Sequence, residues 1–131
     1  MQETAVRFAI CDDDKTYAEK MKALILQTFQ LPQPVECVIY LNQEQILKYY
    51  REDKIDIVFM DIEFGDVIGF QVARRLSMQD SQLTVVYMTN YEHYITEAFV
   101  CRPLGFIRKS HAEDDLQIAG QEIRRFIGQK Y

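Results

Sequence analysis

The chain has 131 residues, 48% of them hydrophobic and 27% charged, which suits one globular domain able to bury a core without disulfides or metal staples. Its formal net charge of −5 opposes a phosphate backbone, so direct nucleic-acid binding is not expected of this chain. No apolar run approaches the roughly 20 residues of a bilayer span, and the polar start Met1-Gln2-Glu3-Thr4 does not read as a signal peptide, so no membrane contact and a cytoplasmic location are expected.

In chain order, Val6 to Cys11 reads as a short strand that stops at Asp12-Asp13-Asp14. A helix follows, with Tyr17, Met21, Leu24, Ile25 and Phe29 at steps of three and four, and Pro32 and Pro34 end it. Asp14 is placed to cap that helix. Val35 to Tyr40 is a second strand, after which Asn42 can cap a helix carrying Ile46, Leu47 and Tyr50. Ile55 to Met60 is a third strand ending on Asp61. A loop with Gly65 and Gly69 leads into a helix whose inward residues are Val72, Ala73 and Leu76. Leu83 to Met88 is a fourth strand ending at Thr89, and a shorter helix is expected from about Tyr91 to Val100. Leu104 to Ile107 is a fifth strand ending near Lys109, and a last helix buries Leu116, Ala119, Ile123, Phe126 and Ile127. The cysteines, Cys11, Cys37 and Cys101, lack zinc-ligand spacing and read as small buried hydrophobes.

Strands and helices alternating at about 25 residues call for right-handed βαβ units and a parallel sheet covered on both faces. The fold class is therefore α/β, a flavodoxin-like (βα)5 doubly wound sheet of order 2-1-3-4-5. In such sheets ligands bind beyond the carboxyl ends of the strands, where the order reverses. Four strands here end on chemistry: Asp12-Asp13, Asp61, Thr89 and Lys109. Carboxylates meeting at that point repel one another unless a cation sits between them. Mg²⁺ suits the site, since it needs few protein oxygens and keeps several waters. A metal, an ammonium and a hydroxyl around a nucleophilic carboxylate are the groups phosphoryl transfer requires. Singly each residue has an ordinary structural reading, as a turn acid, a strand-end threonine or a solvated lysine. The joint pattern does not.

These residues resemble the receiver domains of two-component response regulators over nearly the whole chain. The resemblance rests on Phe8-Ala9-Ile10-Cys11-Asp12-Asp13-Asp14, Asp56 to Glu63, Val85-Val86-Tyr87-Met88-Thr89, Phe106-Ile107-Arg108-Lys109, and Gly69 after the acceptor. It implies that Asp61 is phosphorylated by a sensor histidine kinase, and that Asp12, Asp13, Asp61 and the backbone carbonyl of Glu63 hold Mg²⁺. It also implies that Thr89 and Lys109 follow the phosphoryl group and that Phe106 turns inward. That movement reshapes the face of the fourth helix, fifth strand and fifth helix, a surface for homodimer formation on phosphorylation. Asp61-Ile62-Glu63, Ala98-Phe99-Val100 and Phe106 to Lys109 look like the LytR/AgrA type, in which a LytTR DNA-binding domain follows the receiver. Ser110 after the lysine and Gly65 four residues past Asp61 replace the prolines common in the family. The resemblance implies a phosphoacceptor and not a turnover enzyme.

One alternative names another nucleophile. Asp12-Asp13-Asp14-Lys15-Thr16 fits the DxDxT motif of haloacid dehalogenase-like phosphatases, with Asp12 attacking, Asp14 as the acid, and Asp114-Asp115 as the final acidic pair. That pair should end a strand, yet it lies in a helical start, and Asp61 would have no role.

Overall fold

Val6, Phe8 and Ile10 join one hydrophobic cluster while Ala9 and Cys11 join another, so the first strand, β1 (Val6–Cys11), is buried on both faces. The same period of two divides β3 (Ile57–Asp61), with Ile57 and Phe59 on the first side and Val58 and Met60 on the second. It divides β4 (Val85–Thr89) too, with Val86 and Met88 opposite Val85 and Tyr87. The computed structural model describes residues 4–91, 94, 97, 98 and 102–131.

With β2 (Val35–Tyr40) and β5 (Gly105–Arg108), these strands form one five-stranded parallel sheet of order β2-β1-β3-β4-β5. This is the order expected from the sequence. On the first face lie α1 (Lys15–Thr28), through Ala18, Met21 and Ile25, and the C-terminal helix (Ala112–Lys130), through Leu116, Ala119, Ile123 and Ile127. On the second lie α2 (Gln43–Tyr49), through Ile46, and α3 (Gly69–Gln79), through Val72, Ala73 and Leu76. Asp14 caps α1 by accepting from the Tyr17 N–H at 3.1 Å, and Asn42 caps α2 by accepting from the Gln45 N–H at 3.0 Å.

Several features depart from the sequence reading, among them a fourth strand that begins at Val85 and not at Leu83. The loop after Asp61 contains a small antiparallel ladder, Glu63–Phe64 against Val67–Ile68. Its two-residue turn is Gly65-Asp66, and Gly65 takes a φ of 65°, the left-handed first position that a type II′ hairpin turn reserves for glycine. The third strand begins at Ile57, because Ile55 and Asp56 form the lead-in beside Arg7. Cys37 is half-buried, with its thiol pushed up to about 12 chiefly by burial, whereas Cys11 is fully buried. Cys101 lies outside the described residues, as does most of the helix expected over 91–100; of that stretch Tyr91, Tyr94, Glu97 and Ala98 are described. Among the described residues no helix is long and apolar enough to cross a membrane.

Candidate functional site

The parallel register decides what meets at the carboxyl edge of the sheet. Cys11 lies opposite Met60, Asp61 opposite Met88, and Thr89 opposite Arg108. The residues that end or follow these strands, Asp12, Asp61, Thr89 and Lys109, therefore share one edge at the reversal of strand order. Together with Asp13 they line a single cleft, which also includes Glu63, Gly65, Asn90 and Tyr91.

Lys109 organises the cleft. Its Nζ lies 2.7 Å from Asp12 Oδ2 and 2.9 Å from Asp61 Oδ2, with only 9% of the side chain exposed. The other oxygens of the two carboxylates take backbone donors: Asp12 Oδ1 accepts from the Asp14 N–H at 2.9 Å and Asp61 Oδ1 from the Glu63 N–H at 3.0 Å. Asp12 and Asp61 are buried and Asp13 is exposed. Burial pushes the Asp61 carboxyl up to about 7; the ammonium of Lys109 pulls it down, and the neighbouring Asp12 charge adds to the rise. Burial alone would lower Lys109, but its bonds to Asp12 and Asp61 outweigh that and hold it above the ordinary lysine value.

Carboxylate oxygens of Asp12, Asp13 and Asp61 lie within 4.8 Å of one another, with the Lys109 ammonium paired to Asp12 and Asp61. An all-oxygen donor set of this kind fits a hard divalent ion, which would relieve the repulsion that a single ammonium only partly offsets.

Thr89 is buried, and its hydroxyl accepts from the Tyr91 N–H at 3.0 Å, so the strand end and the loop beyond it are tied together. Phe106 is half-buried and packs on the second hydrophobic cluster, the one that contains Tyr87 and Ala98. The glycine after the acceptor is also explained. A Cβ on Gly69 would collide with the backbone oxygen of Asp61 and the side chain of Met60.

One residue beside the site reads from sequence only as helix core. Tyr17, in the first turn of α1, places its ring under the Lys109 ammonium, 4.7 Å from Nζ to centroid. Its hydroxyl donates to the Lys109 backbone carbonyl at 3.3 Å. An aromatic at helical spacing carries no mark that sets this role apart from packing.

The groups required by the dehalogenase-like alternative are committed elsewhere. Asp14 caps α1 and Asp115 holds Arg108, while Asp114 and Asp115 stand in the first turn of a helix and not at a strand end. That alternative is not supported.

Residues 8–120 match the family model described as the response regulator receiver domain. The chain is 24% identical over 127 residues to the sensory transduction protein LytT of Oceanobacillus iheyensis, covering 95% of this chain and 50% of that one. It is 28% identical over 118 residues to LytR of Streptococcus mutans, covering 88% and 47%. The chain thus spans about half the length of the curated relatives it matches. Among solved structures, a response regulator receiver domain protein from Clostridium thermocellum superposes with a TM-score of 0.77 at 20% identity, covering 95% of this chain and 96% of that one. The response regulator TrrA from Thermotoga maritima, solved in complex with Mg²⁺-BeF, gives 0.75 at 21%, covering 92% and 98%. The matched model covers most of the chain and the fold agrees: this protein belongs to the response regulator receiver domain family.

Proposed function

We propose that Asp61 is the phosphoacceptor of this receiver domain, taking a phosphoryl group from a phosphohistidine of a sensor histidine kinase. The observation that carries this reading is the Lys109 ammonium held between Asp12 and Asp61 at 2.7 and 2.9 Å. In the proposed step an Asp61 carboxylate oxygen attacks phosphorus, the P–N bond to the donor imidazole breaks, and the imidazole leaves with the electron pair and gains a proton. The product is an acyl phosphate. Lys109 is already aimed at the acceptor oxygen and needs only a short movement to meet a phosphoryl oxygen. Asp12, Asp13, Asp61 and the backbone carbonyl of Glu63 would hold Mg²⁺, which when bound supplies charge neutralisation for the transferring group. Thr89 would exchange its bond with Tyr91 for one to the phosphoryl group, and Phe106 would follow on the same strand edge.

The chain then acts as a phosphoacceptor and not as a turnover enzyme on an outside substrate. Output would pass through the face around the fifth strand, by homodimer formation, to a LytTR DNA-binding domain in the full-length protein. The LytT and LytR relatives, about twice as long as the match, support that arrangement.

The test is incubation with a small acyl phosphate and Mg²⁺. Wild type and Asp14→Asn should gain one phosphoryl group by intact mass, and Asp61→Asn should gain none. Labelling that survives Asp61→Asn but is lost in Asp12→Asn would overturn the reading.

A further inference from the structure

Outside the acid cluster, Tyr17 reaches Lys109 with two groups, its ring and its hydroxyl. The residues are 92 positions apart in sequence. The ring lies under the ammonium, and the hydroxyl bonds the carbonyl of the same lysine. These contacts act on different ends of one residue. The hydroxyl fixes where the Lys109 main chain leaves β5. The ring gives the ammonium an attractive surface beside the carboxylates, and cation–π attraction is strongest where water is excluded. With 9% of the lysine side chain exposed, water is largely excluded here.

Three further features suit this role. Asp14 caps α1 three residues before Tyr17, which sets the first turn of the helix, and Asp12 in turn receives the Asp14 N–H. Tyr17 is thus fixed by the same loop that presents Asp12. Its hydroxyl is also within 3.9 Å of the Met21 sulfur, one helical turn on and buried in the first core cluster. Lys109 begins a short 3₁₀ turn (Lys109–His111), in which the Ser110 side chain bonds His111. Among the described side chains, Tyr17 is the one that bonds the Lys109 carbonyl.

We propose that Tyr17 is a positioning residue for the phosphorylation reaction, holding Lys109 at both its carbonyl and its ammonium so that the charge stays aimed at Asp61. The inference rests on the reading of Asp61 as phosphoacceptor. Tyr17 touches neither the acceptor carboxylate nor the incoming group; it acts through Lys109. Removing the ring frees the ammonium to sample positions away from Asp61, and removing the hydroxyl alone loosens the main chain.

The experiment is a double-mutant cycle on labelling rate with acetyl phosphate and Mg²⁺, using wild type, Tyr17→Phe, Tyr17→Leu, Lys109→Ala and the Tyr17→Leu/Lys109→Ala pair. Tyr17→Leu should slow labelling about tenfold and Tyr17→Phe about threefold, the scale of one cation–π contact and one neutral hydrogen bond. In the Lys109→Ala background Tyr17→Leu should change the rate less than about twofold, because the carbonyl bond that remains there no longer positions an ammonium. Equal slowing in both backgrounds, or slowing in neither, overturns the proposal. A readout independent of residual activity is the proton spectrum of the Lys109 ε-methylene. It should lie upfield through the ring current in wild type and Tyr17→Phe and return to the ordinary lysine position in Tyr17→Leu. An unshifted wild-type signal also overturns it. If wild type is not labelled on Asp61 while the ring-current shift is present, the phosphoacceptor reading fails and the Tyr17–Lys109 contact stands as structure alone, without the positioning role.

Discussion

Gly69 lies directly against the main chain of Asp61: its N–H donates to the Ile62 carbonyl at 2.6 Å, and a Cβ there would overlap the Asp61 oxygen. The start of α3 is thereby seated on the end of β3, and the acceptor cannot shift without moving a helix. Gly69→Ala should destabilise the fold by about 1–3 kcal/mol, as overpacking of a tight contact does. It should also slow phosphorylation, because backbone and not a flexible side chain must yield. Urea denaturation and labelling rate check the two effects. An unchanged midpoint would show that the close approach is relieved by some easier movement.

Divalent binding separates Asp13 from its buried neighbours. Asp13 is exposed, while Asp12 and Asp61 are bonded to Lys109 and to backbone N–H groups. Asp13→Asn should leave metal-free stability within about 0.5 kcal/mol, as most surface substitutions do. In wild type, Mg²⁺ at a hundred times its dissociation constant should add about 2.7 kcal/mol, and Asp13→Asn should lose most of that gain. Thermal melts with and without Mg²⁺ measure both. A gain as large in the variant as in wild type would remove Asp13 from the ligand set.

Asp115 predicts the acid limb of stability. Its carboxylate accepts from the Arg108 N–H at 2.8 Å, from Nε at 2.9 Å and, through the other oxygen, from Nη2 at 2.9 Å. These bonds to Arg108 hold the Asp115 carboxyl below the usual carboxylate range against the opposing effect of burial. A folded value below the unfolded one gives stability that is present above the unfolded value of about 3.9 and lost as pH falls through the folded value. Asp115→Asn should cost about 1–3 kcal/mol near neutrality and flatten the loss of stability below about pH 4. Urea midpoints across the acid range decide it; an unchanged acid slope would place the titration on other carboxylates.

The two ends of the C-terminal helix are pinned to opposite ends of the sheet. At the far end the Tyr131 hydroxyl lies 3.0 Å from both oxygens of buried Asp56, and Lys130 Nζ lies 2.6 Å from Oδ1. Tyr131→Phe should lower stability by about 1 kcal/mol, the net scale of an ordinary hydrogen bond, since Tyr131 is partly exposed to solvent. Lys130 is half exposed, so Lys130→Ala should cost less than about 1 kcal/mol. Hydrogen exchange in the last helical turn should rise in Tyr131→Phe, and protection equal to wild type would show that the pin holds nothing.

How far the sequence discloses this structure follows from the range of each interaction. The caps at Asp14 and Asn42 act over three residues, and the strands stand out as short apolar runs, so both are legible locally, whereas the face each strand side chain takes is set by packing. The edge shared by Asp12, Asp61, Thr89 and Lys109 is legible because strand order, once granted, fixes it. The hairpin at Glu63–Ile68 was hidden by its length, two residues a side being too short for any periodic signal. The pairings of Tyr17 with Lys109 and of Tyr131 with Asp56 join residues 92 and 75 positions apart, and no spacing rule reaches across such distances.

In the proposed reaction one carboxylate of the cleft, Asp61, carries the phosphoryl group. Treatment with acetyl phosphate and Mg²⁺, reductive trapping of the acyl phosphate as homoserine, and peptide mass spectrometry would locate it directly. The modification is predicted at position 61, and at neither Asp12 nor Asp13. Homoserine at position 12, with Asp61 intact, would make Asp12 the phosphoacceptor instead.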